Sequence, residues 1–168
     1  NQIKQIEKLV NEFSDFARMP KPIFRENNLV DLINENIKLL KELDNTIAII
    51  FNSNSDKILL DSDREQLSRV FLNLIKNSIE SIKQKSQKNS NFNKKITIEL
   101  SQFDSHISMV IEDNGIGFSE LKKNIKDILN PYFTTKKNGT GLGLSIVNKI
   151  VNDHNGKIDF IPIKNGAK

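Results

Sequence analysis

The sequence predicts an α/β fold, on three observations. Apolar residues recur at spacings of three and four over 29–40, 67–82 and 142–151, the signature of amphipathic helices. Between them, β-branched or alternating apolar segments mark strands at 46–51, 57–60, 96–100, 107–111 and 157–161, so helices and strands interleave. Two glycine clusters, Asp113-Asn114-Gly115-Ile116-Gly117 and Gly139-Thr140-Gly141-Leu142-Gly143, add a strand that ends in a carboxylate and a helix that opens on glycines. Together with an Asn-rich helix upstream they read as a nucleotide site.

The length of 168 residues fits one main domain with a small appendage. Hydrophobic residues make up 37% and charged residues 27%. No apolar run reaches the ~20 residues needed to span a bilayer and no signal peptide opens the chain, so this segment is expected to be soluble. Cysteine is absent, which excludes disulfides, thiolate metal sites and cysteine nucleophiles and permits a cytoplasmic setting. The net charge of +4 is mild and the lysines are spread out, so no nucleic-acid partner is expected.

Ile3, Ile6, Leu9, Val10, Phe13, Phe16 and Ala17 form one stripe of an N-terminal helix. Met19-Pro20-Lys21-Pro22 ends it, because proline lacks an N–H and drives the preceding residue out of the α region. The stripe either packs back on the main domain or is half of an interhelical hairpin or coiled coil. An extended piece at 23–26 leads to a helix marked by Leu29, Leu32, Ile33, Ile37 and Leu40, capped by Asn27 or Asn28. The strands 46–51 and 57–60 flank a polar turn at 52–56. Ser62 with Glu65, or Asp63 with Gln66, forms a capping box before a long helix that reaches about residue 85. Ile96, Ile98 and Leu100 alternate along a strand, Asp104-Ser105 turns the chain, and 107–111 returns to deliver Asp113. Residues 118–139 are polar and Lys-rich, with a weak helical pattern at 121–129, and their position between glycines suggests a lid. A helix starting near Leu142 turns Ile146, Val147, Ile150 and Val151 inward, and Asn155-Gly156 ends it before the last strand.

On the long helix, Leu67, Val70, Phe71, Leu74, Ile75 and Ile82 fall on one side, and Asn73, Lys76, Asn77 and Glu80 on the other. A solvated face suffices for Lys76 and Glu80. It does not explain two asparagines four apart, since asparagine is a poorer helix former than alanine by about a few tenths of a kcal/mol. An Asn oxygen is a hard neutral ligand for Mg²⁺, which takes its other ligands from water and phosphates. Asn77 can supply that oxygen while Asn73 holds a phosphate or a coordinated water. Asp113 is either a turn-forming residue or an acceptor for the amino group of adenine, with Gly115 and Gly117 making room for the flat base. The second glycine cluster opens a helix, whose free N–H groups and dipole suit a phosphate. It is not a P-loop, since no Gly-Lys-Ser/Thr follows, nor a Rossmann turn, since no strand directly precedes it; a flexible hinge is compatible as well.

Asn73-Leu-Ile-Lys-Asn77, Asp113-Asn-Gly-Ile-Gly117, Pro131-Tyr-Phe-Thr-Thr-Lys136 and Gly139-Thr-Gly-Leu-Gly-Leu144, in this order, resemble the N, G1, F and G2 boxes of bacterial sensor histidine kinases. The resemblance runs from about Ile23 to the C-terminus. It implies the ATP-binding catalytic domain of the gyrase, Hsp90, histidine kinase and MutL (GHKL) superfamily, a two-layer α/β sandwich with helices on one face of a mixed sheet. Val10-Asn-Glu-Phe-Ser-Asp-Phe-Ala-Arg-Met-Pro-Lys-Pro22 resembles the second helix of the dimerisation and phosphotransfer hairpin of NtrY-type nitrogen-sensing kinases. Two parts are therefore expected, hairpin helix 1–22 and ATP-binding domain 23–168. Family sequences continue from Gly166-Ala167 into another strand, so the second part is expected to lack its last strand and leave a sheet edge open.

By position, the resemblance implies that Asp113 binds the adenine amino group and Asn77 the Mg²⁺ ion, with Asn73 assisting. Gly115, Gly117, Gly139, Thr140, Gly141, Leu142, Gly143 and Leu144 would border ATP with Lys76, and Lys136 on the lid would meet the terminal phosphate. ATP-hydrolysing relatives carry a glutamate where this chain has Asn73. An amide cannot act as a general base, so hydrolysis should be slow and the phosphate kept for a protein acceptor, with Asn73 and Lys136 nearest the transfer. The family's acceptor histidine precedes an acidic residue on the first hairpin helix. Neither His106 nor His154 fits, so the acceptor is expected outside this chain, with relay to a response regulator. A homodimer through the hairpin and a cytoplasmic location, with any membrane contact made elsewhere in a longer sensor, are also implied. The alternatives are a GHKL-type ATPase or serine kinase, or a nucleotide-responsive binding module without phosphotransfer.

Overall fold

The computed structural model describes residues 7, 10, 11, 13, 14, 17–43, 45–88, 92–118, 125–134 and 139–168. Residues 7, 10, 11, 13, 14 and 17 are helical, with Val10 and Phe13 exposed, whereas Ile3, Ile6, Leu9 and Phe16 of the predicted stripe lie outside the described residues.

Strand β1 (Arg25–Asn28) runs into helix α1 (Leu29–Leu43). Asn28 is the cap, its Oδ1 accepting the Val30 N–H at 3.2 Å. The same oxygen accepts the Ile58 N–H at 3.1 Å, and Leu29 N–H donates to the Ile58 carbonyl at 2.9 Å. This clamp, with Ile58 fully buried, decides where the next strand begins. Strand β3 is Leu59–Ser62 rather than 57–60, and it pairs antiparallel with β1 in a two-stranded sheet. The 52–56 turn therefore joins two different sheets.

The main sheet has the order β2-β4-β5-β7-β6, from β2 (Ala48–Ser53), β4 (Lys95–Gln102), β5 (Ile107–Asp113), β6 (Pro162–Ile163) and β7 (Gly166–Ala167). It is mixed: β2 lies parallel to β4, and the other neighbours are antiparallel. Residues 157–161, predicted as the last strand, are not one. Ile161 exchanges two backbone hydrogen bonds with Lys168, and the short hairpin β6–β7 carries the pairing, with Ala167 opposite Asp113. Strand β2 begins two residues later than predicted, after the buried Ile47.

Alternation assigns the two faces of the sheet. Ile96, Ile98 and Leu100 of β4 stand opposite Asp113, Ile111 and Met109 of β5, while Ile49 and Phe51 of β2 stand opposite Ile96 and Ile98. This face packs on the helices except at Met109, which is exposed beside the cleft. The other face presents Ile50, Thr97, Glu99 and Glu112, of which Ile50, Glu99 and Glu112 are exposed.

Helix α2 (Arg64–Lys88) lies between two apolar clusters. Phe71, Ile75 and Ile82 join Leu32, Ile33, Ile37 and the sheet in the first. Val70, with half-buried Leu67 and Leu74, joins Leu142, Ile146, Val147 and Ile150 of helix α3 (Gly143–Asp153) in the second. The six apolar residues assigned to one side thus serve two neighbours. Burying an Ile or Leu stabilises by roughly 1.5–3 kcal/mol, so these contacts outweigh any propensity term along α2. Helix α3 ends as predicted, with Asn155 at φ 57° and the Gly156 N–H on the Val151 carbonyl at 2.8 Å.

Asp63 caps α2 and anchors what precedes β1. Its Oδ1 accepts the Gln66 N–H at 3.0 Å and its Oδ2 the Ile23 N–H at 2.9 Å. The Gln66 amide donates to the Pro20 carbonyl at 3.0 Å. His154 closes the junction: Nε2 accepts the Asp63 N–H at 3.0 Å, Nδ1 faces the Ile150 carbonyl at 2.8 Å, and the ring lies 5.1 Å from that of Phe24. Burial works against the Asp63 charge, but the N–H groups of Gln66, Ile23 and Glu65, with nearby His154, outweigh it and hold the carboxyl below its usual value.

Asp63→Ala should lower stability in urea by about 1–2 kcal/mol at neutral pH through loss of the cap and the Ile23 anchor. A lowered folded-state pKa means that this contribution is present above the ordinary Asp value and is lost as pH falls through the folded value. Parent and variant stabilities should converge on acidification; a constant gap through that range would show that the carboxylate charge is not the source.

Candidate functional site

A cleft of about 1120 Å³ opens beside α2, the end of β5 and the start of α3. Helix α2 contributes Asn73, Lys76 and Asn77 to its wall, and the first glycine cluster Asp113 and Gly117. The second cluster contributes Gly139, Thr140, Gly141, Gly143 and Leu144. Leu142 instead turns its side chain into the second apolar cluster, where it is fully buried. Lys136 lies outside the described residues.

Asp113 occupies a core-facing position of β5, opposite Ile96, where alternation would otherwise place an apolar side chain. It is 6% exposed. Its Oδ1 accepts the Gly115 N–H at 2.9 Å and the Ser81 hydroxyl at 3.4 Å, and the Ser78 hydroxyl and the Ala167 N–H also donate to the carboxylate. Burial dominates and pushes the carboxyl above the usual Asp value, while these four donors pull it back. The sequence reading missed Ser78 and Ser81. They sit on the flank of α2 between its apolar and polar sides, and the available signal was a pair of small hydroxyls three apart beside the Asn73–Asn77 stripe.

The first-cluster glycines are held by close packing within the protein itself. A Cβ at Gly115 would lie 2.2 Å from Ser81 Oγ and 2.6 Å from the Ser81 carbonyl carbon. At Gly117, with φ +63°, it would lie 2.1 Å from the Gly166 carbonyl oxygen. Gly141, φ +71°, similarly accommodates Tyr132, whose N–H donates to the Gly141 carbonyl at 3.0 Å and whose own φ is 66°. The Tyr132 ring stacks on Phe13 with centroids 6.4 Å apart, which joins the N-terminal helix to the cleft rim.

The start of α3 has no side-chain cap: Leu142 occupies the N-cap position, and the Ser145 hydroxyl donates to the Leu142 carbonyl at 2.8 Å. Helix N–H groups and the dipole there suit an anion. Asn73 abuts this end, its Oδ1 being 3.3 Å from where a Gly143 Cβ would stand, while its Nδ2 donates to the Arg69 carbonyl at 2.9 Å. The cleft therefore combines a buried acceptor with a helix N-terminus, as a ligand with a donor-bearing ring and an anionic tail requires. Among the described residues no group of three or more acidic or histidine side chains could cage a metal, so a cation here would need a ligand's own oxygens besides Asn77. His106 lies at the end of β5 opposite to Asp113, exposed and stacked on Phe103 at 4.7 Å. No described helix is long and apolar enough to cross a membrane.

Residues 62–167 match the family described as histidine kinase-, DNA gyrase B-, and HSP90-like ATPase. The chain is 38% identical over 161 residues to a protein of Rickettsia prowazekii (strain Madrid E) named as an NtrY-like sensor histidine kinase, covering 95% of this chain and 25% of the relative. It thus spans about a quarter of the length of the curated relatives it matches. The nucleotide-free catalytic domain of histidine kinase ThkA superposes with a TM-score of 0.72 at 32% identity, over 86% of this chain and 91% of that one. ThkA crystallised with the response regulator TrrA superposes with a TM-score of 0.77 at 27% identity, over 99% of this chain and 46% of that one.

Two substitutions test the geometry without a ligand. Gly117→Ala forces an L side chain into a left-handed conformation and against the Gly166 carbonyl, so thermal denaturation should show a loss of roughly 2 kcal/mol or more. Asp113→Asn tests the charge through its pH dependence. A folded-state pKa raised by burial makes stability highest below the unfolded value and lower once pH rises through the folded one, and the neutral amide escapes that decline. The stability of the parent relative to the variant should therefore fall as pH rises through that range, and a parent that gains on the variant there would contradict burial as the dominant influence on Asp113.

Proposed function

The chain belongs to the histidine kinase-, DNA gyrase B-, and HSP90-like ATPase family as a sensor histidine kinase catalytic domain, and we propose that it passes the ATP γ-phosphate to a histidine outside this chain. The observation that carries this reading is the buried Asp113 carboxylate in a cleft that also holds an uncapped helix N-terminus. Mg²⁺–ATP supplies the transferable phosphoryl group and the cation that offsets its charge. In this reading Asp113 accepts from the adenine amino group, the backbone from Gly139 to Leu144 borders the phosphates, and Asn77 offers its amide oxygen to Mg²⁺ with Asn73 beside it. Lys76 at the rim, together with Lys136, would complement the phosphate charge.

Slow hydrolysis follows from side-chain chemistry. Asn73 has an amide where a base would be needed to activate water. Both ring nitrogens of His154 are engaged in the Asp63 junction, and His106 sits at the wrong end of β5, which supports an acceptor outside the chain. The complex between ThkA and TrrA supports a response regulator as the downstream partner. Residues 1–22 would contribute the second helix of a dimerising hairpin, with the domain on the cytoplasmic side of a sensor anchored through other regions, and the NtrY-like relatives support a nitrogen-regulation type of sensor.

Calorimetry on this chain tests the site directly. ATP should bind more tightly than GTP, which lacks the amino group at that ring position, and Asp113→Asn should weaken ATP by about 1.5–3 kcal/mol. Asn77→Ala should remove most of the Mg²⁺ dependence of ATP affinity while the helix stays folded. Equal affinities for ATP and GTP would end the assignment of Asp113, and an unchanged Mg²⁺ titration would end that of Asn77.

A further inference from the structure

Ser81 is not among the residues needed for the proposed phosphoryl transfer, yet it occupies a constrained position. Its Oγ stands 3.4 Å from Asp113 Oδ1, and it fills the space that a Gly115 Cβ would take. Gly115 N–H, which donates to the same carboxylate oxygen, is fixed by the local turn. Ser81 comes from α2, a different element, so its hydroxyl reports how α2 sits over the end of β5.

We propose that Ser81 is a specificity-determining residue: its hydroxyl, donated to Asp113 Oδ1, keeps this carboxylate an acceptor and so makes the cleft select an amino-bearing purine over a 6-oxo purine. The proposal rests on Asp113 reading the base. An ionised carboxylate only accepts hydrogen bonds, which suits the amino group of adenine and opposes the ring carbonyl of hypoxanthine. Once protonated, the same group donates, and the preference weakens or reverses. Burial favours the protonated form, and Ser81 is one of four donors that oppose it. Other ionisable groups around the cleft are Lys76, Glu80 and Lys83 on α2, and Lys157, Asp159 and Lys168 in the C-terminal segment. Lys85 donates to the Asn114 carbonyl at 2.7 Å beside the site. Burial and hydrogen bonding, rather than these charges, are what move the Asp113 carboxyl most.

The test compares ATP and ITP affinities across pH for the parent chain, Ser81→Ala and Ser81→Thr. ITP differs from ATP by a carbonyl in place of the amino group. Alanine is the better helix former, so α2 is expected to persist in Ser81→Ala, and circular dichroism with a melting curve verifies it. The parent should prefer ATP near neutral pH and lose that preference on acidification. In Ser81→Ala the loss should begin at a higher pH than in the parent, because one donor to the charged form is gone. Ser81→Thr, which keeps the hydroxyl, should follow the parent. A Ser81→Ala profile that superimposes on the parent's, or a Ser81→Thr profile that follows Ser81→Ala, overturns the role of the hydroxyl while leaving base reading by Asp113 intact. A parent with no preference for ATP over ITP at any pH overturns the base reading itself, and this proposal with it.

Discussion

The site depends on how closely helix α2 lies over the end of β5. Gly115 is the contact point, with the Ser81 carbonyl carbon and Ile82 nitrogen at 2.6 and 2.7 Å from where its Cβ would be. A side chain there would lift α2 from the sheet, since backbone atoms cannot swing aside as a side chain can. The approach brings the Ser78 and Ser81 hydroxyls onto Asp113 and keeps the Asn73–Asn77 flank beside the cleft. It also seals Ile75 and Ile82 against β4. A local turn and the main core are thus parts of one packing solution.

Within that contact, Asp113 is a case of function set against stability. Every other core-face residue of β5 from Ile107 onward is apolar, and the carboxylate takes the next place in the same alternation. A buried charge is unfavourable unless it is hydrogen-bonded, and the fold answers with donors from three elements: α2, the turn after β5, and β7. What remains uncompensated is the tendency of the group to hold a proton. A ligand donor relieves that tendency, which is a reason for the acceptor to be buried rather than exposed.

A second junction forms at the far end of α3. Asp63 and His154 tie the first turn of α2 to the last turn of α3, and the segment before β1 is held by Gln66 at Pro20, Asp63 at Ile23 and His154 at Phe24. Met19 packs on the α2–α3 cluster and Phe13 on Tyr132, so the N-terminal segment is attached to the domain at several separate points. Helix α3 runs between the two junctions, with Gly143 beside Asn73 at one end and His154 beside Asp63 at the other. The ring nitrogens of His154 are occupied by this structural task.

Local features were legible in the sequence because they are decided locally. The helix caps, narrowed to Asn27 or Asn28 and to Ser62 or Asp63, the Asn155-Gly156 helix end, the apolar strand that delivers Asp113 and the glycines that open α3 each rest on a few neighbouring residues. Long-range pairings were not. Strand β3 goes to β1 because Asn28 and Leu29 seize Ile58, and 157–161 yields its pairing to β6 and β7, outcomes that depend on partners far along the chain. The apolar residues of α2 read as one side, but only the packed structure divides them between the sheet and α3. The two glycine clusters and the Asn-rich helix also read as a nucleotide site, with a turn at Asp113 and a hinge at the second cluster left open. What only the tertiary structure decided is which of these groups face the cleft and what each glycine makes room for. Leu142 is drawn into the core, Gly115 and Gly117 yield their space to backbone, and Ser78 and Ser81 are brought to Asp113, because close packing across elements fixes distances that sequence spacing does not contain.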